Sequence, residues 1–248
     1  GLVAPWVGLP VDQGAGDAVS AECPCEASWL ESGVQRPCSQ PGVELLRPVV
    51  DPAGAGVAAV TLAVAVRCES ATFVAVELDA AIAAYARENV ALNAMSQRIE
   101  VVEGDALKRG GATFDGVFCN PPFDTEGEGR APAEARRHAY IAEKPIAAWV
   151  AALADRLTGG AALTLIQRAA KLPEILSALD GRLGGVEVIP IRPRAGAAAK
   201  RVLVRARKGS RAAFRLYRGI DLHDPSGAKY TPETEVVLRG ETPITWGD

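Results

Sequence analysis

From Val43 onward, continuous apolar runs alternate with amphipathic stretches, and the alternation reads as strand, turn and helix repeated. Pro48-Val49-Val50-Asp51 predicts a short strand end. Pro52 to Ala58 predicts a glycine turn, and an Ala/Val/Leu-rich helix follows to about Val66. Phe73-Val74-Ala75-Val76-Glu77 is an apolar, β-branched run closing on an acid, as expected of a strand buried on both faces. Asp79-Ala80 predicts the start of a helix through Ala81, Tyr85, Val90 and Leu92. Ile99 to Val102 is the third strand, followed by Glu103-Gly104-Asp105-Ala106. Phe114 to Phe118 is the fourth. Ala133 to Tyr140 reads as a basic helix with Arg136, Arg137 and His138. Ile146 to Leu157 reads as an amphipathic helix anchored by Trp149, with Thr158-Gly159-Gly160 as its left-handed cap. Ala162 to Ile166 is strand five, and Leu172 to Leu183 the next helix. Val186 to Ile191 and Arg201 to Ala206 predict a closing antiparallel pair, strands six and seven. A tail from Leu222 to Asp248 has its last helix starting at Tyr230-Thr231-Pro232-Glu233. The expected fold is therefore α/β: a doubly wound, mostly parallel seven-stranded sheet with an antiparallel C-terminal hairpin. Residues 1–42 hold no lasting period and read as an irregular N-terminal segment, leaving 43–248 as the folded domain.

Composition narrows the function. The chain has 248 residues and a net charge of −3, so it is not basic as a whole. No apolar run reaches the ~18 residues of a membrane span, and no secretory leader is visible, so a cytoplasmic protein without membrane contact is expected. The five cysteines lack the paired spacing of a zinc site, and no metal is expected. The positive charge is local. Ten Lys and Arg residues lie from Arg192 to Arg218 with no acid between them, including Lys200, Arg201, Arg205, Arg207, Lys208 and Arg211. Such a run is either a solvated face or a contact for an RNA backbone.

The candidate chemistry sits in Asn120-Pro121-Pro122-Phe123, directly after the fourth strand. Two prolines supply no N–H and fix the backbone, so carbonyls are left to accept. The Asn120 amide adds an acceptor and Phe123 an aromatic face, an arrangement suited to a planar substrate with an –NH2 group. A Pro-Pro turn with a core Phe is the plainer alternative. Upstream, Gly54 and Gly56 allow either close approach to a ligand or only a tight turn. Glu77 lies about 20 residues beyond, where a carboxylate takes ribose hydroxyls or simply ends a strand. Asp105 either accepts from an adenine amine or caps the next turn. His223 beside Asp224 has no nucleophile near it and reads as tail packing.

These residues resemble a class I S-adenosylmethionine-dependent methyltransferase that modifies amines, with its Rossmann-like fold. The stretches "VELDAAIAAYARENVALN", "VVEGDAL", "FDGVFCNPPF", "LTGGAALTLIQRAAKLPEIL", "RVLVRARKGSRA" and "LHDPSGAKYTPETEVVLRG" are similar to the bacterial tRNA(Val) adenine-N6-methyltransferase family in its alphaproteobacterial form. The resemblance implies S-adenosylmethionine as cofactor, held by Asp51, Gly54, Gly56, Glu77, Asp105, Ala106 and Asn120. It implies Asn120, Pro121, Pro122 and Phe123 as the catalytic fork, and tRNA as the partner. A guanine in ribosomal RNA, a protein glutamine, or a catalytically silent RNA-binding relative are the alternatives. The sequence departs from the family pattern at the glycine turn. Asp51 is three residues before Gly54, Pro52 intervenes, and Ala58 holds the third glycine place.

Overall fold

A computed structural model describes residues 48–50, 55–107, 112–121, 124–125, 141–142, 144–226 and 228–246. The expected segment 1–42, the helix at 133–140 with His138, and Asp51, Gly54, Pro122 and Phe123 lie outside the described residues.

Seven strands make the body of the sheet: β1 (Pro48–Val50), β2 (Phe73–Glu77), β3 (Ile99–Glu103), β4 (Phe114–Cys119), β7 (Leu157–Arg168), β8 (Leu183–Arg192) and β9 (Arg201–Lys208). Two-residue strands β5 (Asp124–Thr125) and β6 (Ile141–Ala142) pair only with each other. In space the order is β3-β2-β1-β4-β7-β9-β8, and β10 (Arg215–Leu216) and β11 (Ile220–Asp221) extend the β8 edge. β9 alone runs against its neighbours, pairing antiparallel with both β7 and β8. The sheet is thus mixed, with the parallel half and the antiparallel closing pair that the sequence predicts.

Among the described residues there are five α-helices: α1 (Ala59–Arg67), α2 (Ala80–Leu92), α3 (Ile146–Asp155), α4 (Leu172–Leu179) and α5 (Pro232–Arg239). β2 explains the two layers. Phe73 and Ala75 pack with Ala65 of α1 and with Ala86 and Val90 of α2. Val74 and Val76 point the other way and join the cluster of Trp149, Val150 and Leu153 from α3 and Ile175 and Leu179 from α4. A strand apolar at every position up to its closing Glu77 is what two covered faces require.

The helix signals act locally. Asp79 accepts from the backbone N–H of Ala81 and Ile82, satisfying two of the amides that every helix start leaves open. Thr231 does the same for Thr234 at the head of α5. At the far end of α2, Ala94 takes φ +55° while its N–H donates to Ala91 and that of Met95 to Val90. That is the paired bonding of a Schellman stop, built on alanine instead of glycine.

One expectation needs correction. Thr158-Gly159-Gly160 does not cap α3, which ends at Asp155 with Arg156 as its cap. The three residues lie inside β7, where the pairing with β4 slips between Phe114↔Leu157 and Gly116↔Ala162. Gly160 does have a left-handed φ of +83°, but it serves a bulge. A positive φ suits both structures, and the pairing with β4 decides between them.

Candidate active site

The strand order turns round between β1 and β4, and in such sheets ligands occupy the crevice outside the carboxyl ends at that point. Val50 of β1 stands level with Phe118 of β4 and Ala75 of β2. The glycine turn, Glu77, Asp105 and Asn120 therefore all leave the sheet on one edge.

Glu77 closes β2 and is only 5% exposed. Its Oε2 accepts the Gly56 N–H at 3.0 Å, and its Oε1 accepts the Asp79 N–H at 3.0 Å. The acid thus ties the glycine turn to the start of α2. A carboxylate has about four acceptor sites, and two remain for a vicinal diol. Gly56 has φ +49°, and Ala58 φ +64°. The residue in the third glycine place has therefore taken the left-handed conformation that glycine adopts easily, which keeps the turn despite the altered sequence. Asp105 Oδ1 accepts the Leu107 N–H at 2.9 Å, so it does cap the next turn. Ala106 is buried against the core beneath it. These side chains fit a nucleoside: a carboxylate pair of acceptors at one strand end and a second acid one strand further out.

Asn120 is exposed at the tip of β4, and Pro121 is buried behind it. The Pro121 carbonyl accepts from Gln167 Nε2 at 3.3 Å. A carbonyl has two lone pairs, so one site stays open to a substrate N–H. Gln167 also accepts the Arg168 N–H through Oε1 at 2.8 Å and is 2% exposed. Sequence reading missed it, although a signal was present. Leu163, Leu165 and Gln167 share one face by strict alternation, so a polar side chain falls where the strand is otherwise apolar.

The basic run is divided by the direction of β9. Lys200 and Arg201 stand at the carboxyl edge, Arg201 directly opposite Arg168 of β7. Seven residues on, roughly 23 Å along the strand, Lys208 Nζ donates to the carbonyls of Ala154 and Leu157 at 3.1 and 2.8 Å. It closes the end of α3. Between them Arg205 Nε donates to Glu187 Oε2 at 2.7 Å, and its guanidinium lies 4.1 Å from the Trp246 ring centre. Tyr217 donates to the other Glu187 oxygen at 2.7 Å. Burial pushes the Glu187 carboxyl up, but the hydrogen bonds from Arg205 and Tyr217 outweigh it and hold the group below the usual glutamate value. Burial, then the Arg205 charge, push Arg207 below the ordinary guanidinium value. Arg211 belongs to the segment crossing Gly184, where an added Cβ would meet Ser210 O at 2.0 Å. That segment lies at the amino end of β8. His223 holds the Lys229 carbonyl through Nδ1 at 2.6 Å and stacks on Tyr230, a tail-packing role as expected.

Among the described residues no helix is long and apolar enough to cross a membrane. The tRNA1(Val) (adenine(37)-N6)-methyltransferase of Aeromonas salmonicida is 34% identical over 161 residues, covering 63% of this chain and 67% of that protein. A crystal structure of a predicted O-methyltransferase from Agrobacterium tumefaciens superposes with a TM-score of 0.66 at 28% identity, covering 83% of this chain and 93% of that one. The methyltransferase small domain family matches residues 43–189. With its glycine turn, strand-end acid and Asn-Pro fork on one sheet edge, the chain belongs to that family and is a methyltransferase using S-adenosylmethionine.

Proposed function

We propose that this methyltransferase acts on the exocyclic N6 amine of an adenine in tRNA, with residues 43–248 as the catalytic domain. The observation that carries the reading is the exposed Asn120 at the β4 tip, next to the switch-point crevice and backed by the Pro121 carbonyl. Similarity to the Aeromonas salmonicida enzyme, whose name gives tRNA adenine N6 as its target, supports the choice of base.

An adenine amine is a weak nucleophile because its lone pair is delocalised into the ring. Asn120 Oδ1 and the Pro121 carbonyl accept its two N–H groups and favour the tetrahedral nitrogen. Phe123, by its place in the tetrad, gives the turned-out base a surface to stack on, worth roughly 1–3 kcal/mol. A loop base costs less to extrude than a paired one, which favours a tRNA loop. S-adenosylmethionine supplies an already activated methyl on a sulfonium. Glu77 and Gly56, with Asp51 and Gly54 by their place in the sequence, would hold its nucleoside and methionine parts, and Asp105, Ala106 and Asn120 would hold its adenine. Alignment of nitrogen and methyl provides on the order of 7 kcal/mol in favourable cases, so no strong base is required.

Nucleoside mass spectrometry of tRNA incubated with the protein and methyl-labelled cofactor tests the proposal. Labelled N6-methyladenosine is expected. No label in tRNA adenosine, with label instead in ribosomal RNA guanosine or a protein glutamine in parallel incubations with those substrates, would overturn it.

A further inference from the structure

We propose that the loop joining β11 to α5 is a stacking platform that holds an unpaired RNA base flanking the one being methylated. The inference rests on the RNA reading above and adds a site to it. The platform is the ring pair of His223 and Tyr230, stacked at 5.8 Å with an interplanar angle of 17°. Both rings are partly exposed, and Tyr230 belongs to neither apolar core cluster. The exposed Lys229 puts its ammonium 5.2 Å from the Tyr230 ring centre. Aromatic faces beside a cation suit single-stranded RNA, because every nucleotide offers a π-face to stack and a phosphate to neutralise. His223 Nδ1 meets the Lys229 carbonyl, which can only accept, so Nδ1 carries the proton. The neutral ring then leaves Nε2 to accept from a base amine or a ribose 2′-hydroxyl.

Other bonds close the loop without help from the rings. The Thr231 N–H donates to the Leu222 carbonyl at 3.0 Å, and the hydroxyls of Thr231 and Thr234 both donate to the Asp221 carbonyl. Asp224, the acid of the loop, accepts the Ser226 N–H at 2.7 Å. A loop fixed in this way presents its rings with little left to order on binding. Its position also matches the fork. The Leu222 and His223 N–H groups donate to the carbonyls of Arg192 and Pro193, where β8 ends. β8 runs parallel to β4 and finishes on the edge that carries Asn120. Three strand spacings, roughly 15 Å, separate the two strands. A few nucleotides of an RNA loop cover that span.

The test is binding of end-labelled total tRNA across a salt series by the full chain and by Tyr230→Leu, Tyr230→Phe and Lys229→Ala. Tyr230→Leu keeps apolar bulk but has no π-face, and should bind about tenfold more weakly with an unaltered salt slope. Tyr230→Phe keeps the face and should bind as the wild type does. Lys229→Ala, at an exposed position, should lower the salt slope by about one. Leu and Phe variants of equal affinity, whether both normal or both weak, would overturn the platform and leave the RNA reading standing. A wild type that ignores tRNA at every salt concentration would overturn both.

Discussion

At one end of β9 Lys200 and Arg201 are exposed on the carboxyl edge of the sheet; towards the other end Arg205 and Lys208 are partly buried, bonded to Glu187 and to the carbonyls of Ala154 and Leu157. The two groups are consecutive in sequence and lie on opposite edges of one sheet. At the carboxyl edge Asn120, Lys200 and Arg201 are exposed, whereas towards the amino edge Lys208 closes α3 and Arg205 fastens the tail through Glu187, Tyr217 and Trp246. One edge should therefore respond to substitution in rate and binding, the other in stability.

The largest effect is expected from Asn120→Ala. Removing an acceptor that favours the transition state costs about 10²–10³ in kcat. Cofactor affinity by titration should fall far less than kcat, and the melting free energy should move by less than about 0.5 kcal/mol, since the residue is exposed. A variant that melts early and turns over normally would break the comparison. Gln167→Leu should lower kcat about tenfold with KM nearly constant, because the Pro121 carbonyl loses the donor that fixes it. Gln167→Glu keeps an acceptor for Arg168 but no donor for Pro121, and should be equally slow; recovery by Glu would assign Gln167 to Arg168 alone.

Glu187→Gln tests the stabilising side. It should cost roughly 1–2 kcal/mol of unfolding free energy with kcat unchanged, since a charge-assisted bond to Arg205 is replaced by a neutral one. Glu187 is more acidic folded than unfolded, so its contribution is complete above the ordinary glutamate value of about 4.3. It is lost as pH falls through the lower folded value. Melting curves below that pH should be flatter for the Gln variant; identical acid limbs would remove Glu187 as a cause. The smallest effect belongs to Ala94→Gly. Relieving an exposed left-handed alanine at the stop of α2 should raise stability by about 0.5–1 kcal/mol and leave methylation alone.

Much of this architecture was legible because the parallel strands are covered on both faces. Phe73 to Val76 could only be a buried run, and Asp79 announced its helix. The glycine turn, Glu77 and Asn120 fell on one edge as the fold class requires. What stayed hidden depends on how strands lie side by side. Gly160 was equally compatible with a cap and a bulge until β4 fixed the register. Asp105 was open between two uses, and the local one, a turn cap, is observed. The basic run read as one surface because linear order conceals that β9 carries its two ends to opposite sides of the molecule.

Glu77, which we propose holds the ribose, is also the fastener of the turn beside it. The two backbone amides it grips set its aim in advance, so little ordering remains to be done when a nucleoside arrives. An alanine at this position would slacken the turn and the helix head together. Weakened donor affinity in such a protein would measure a collapsed socket as much as a missing ribose contact; Glu77→Gln, which keeps one oxygen and the side-chain shape, separates the two.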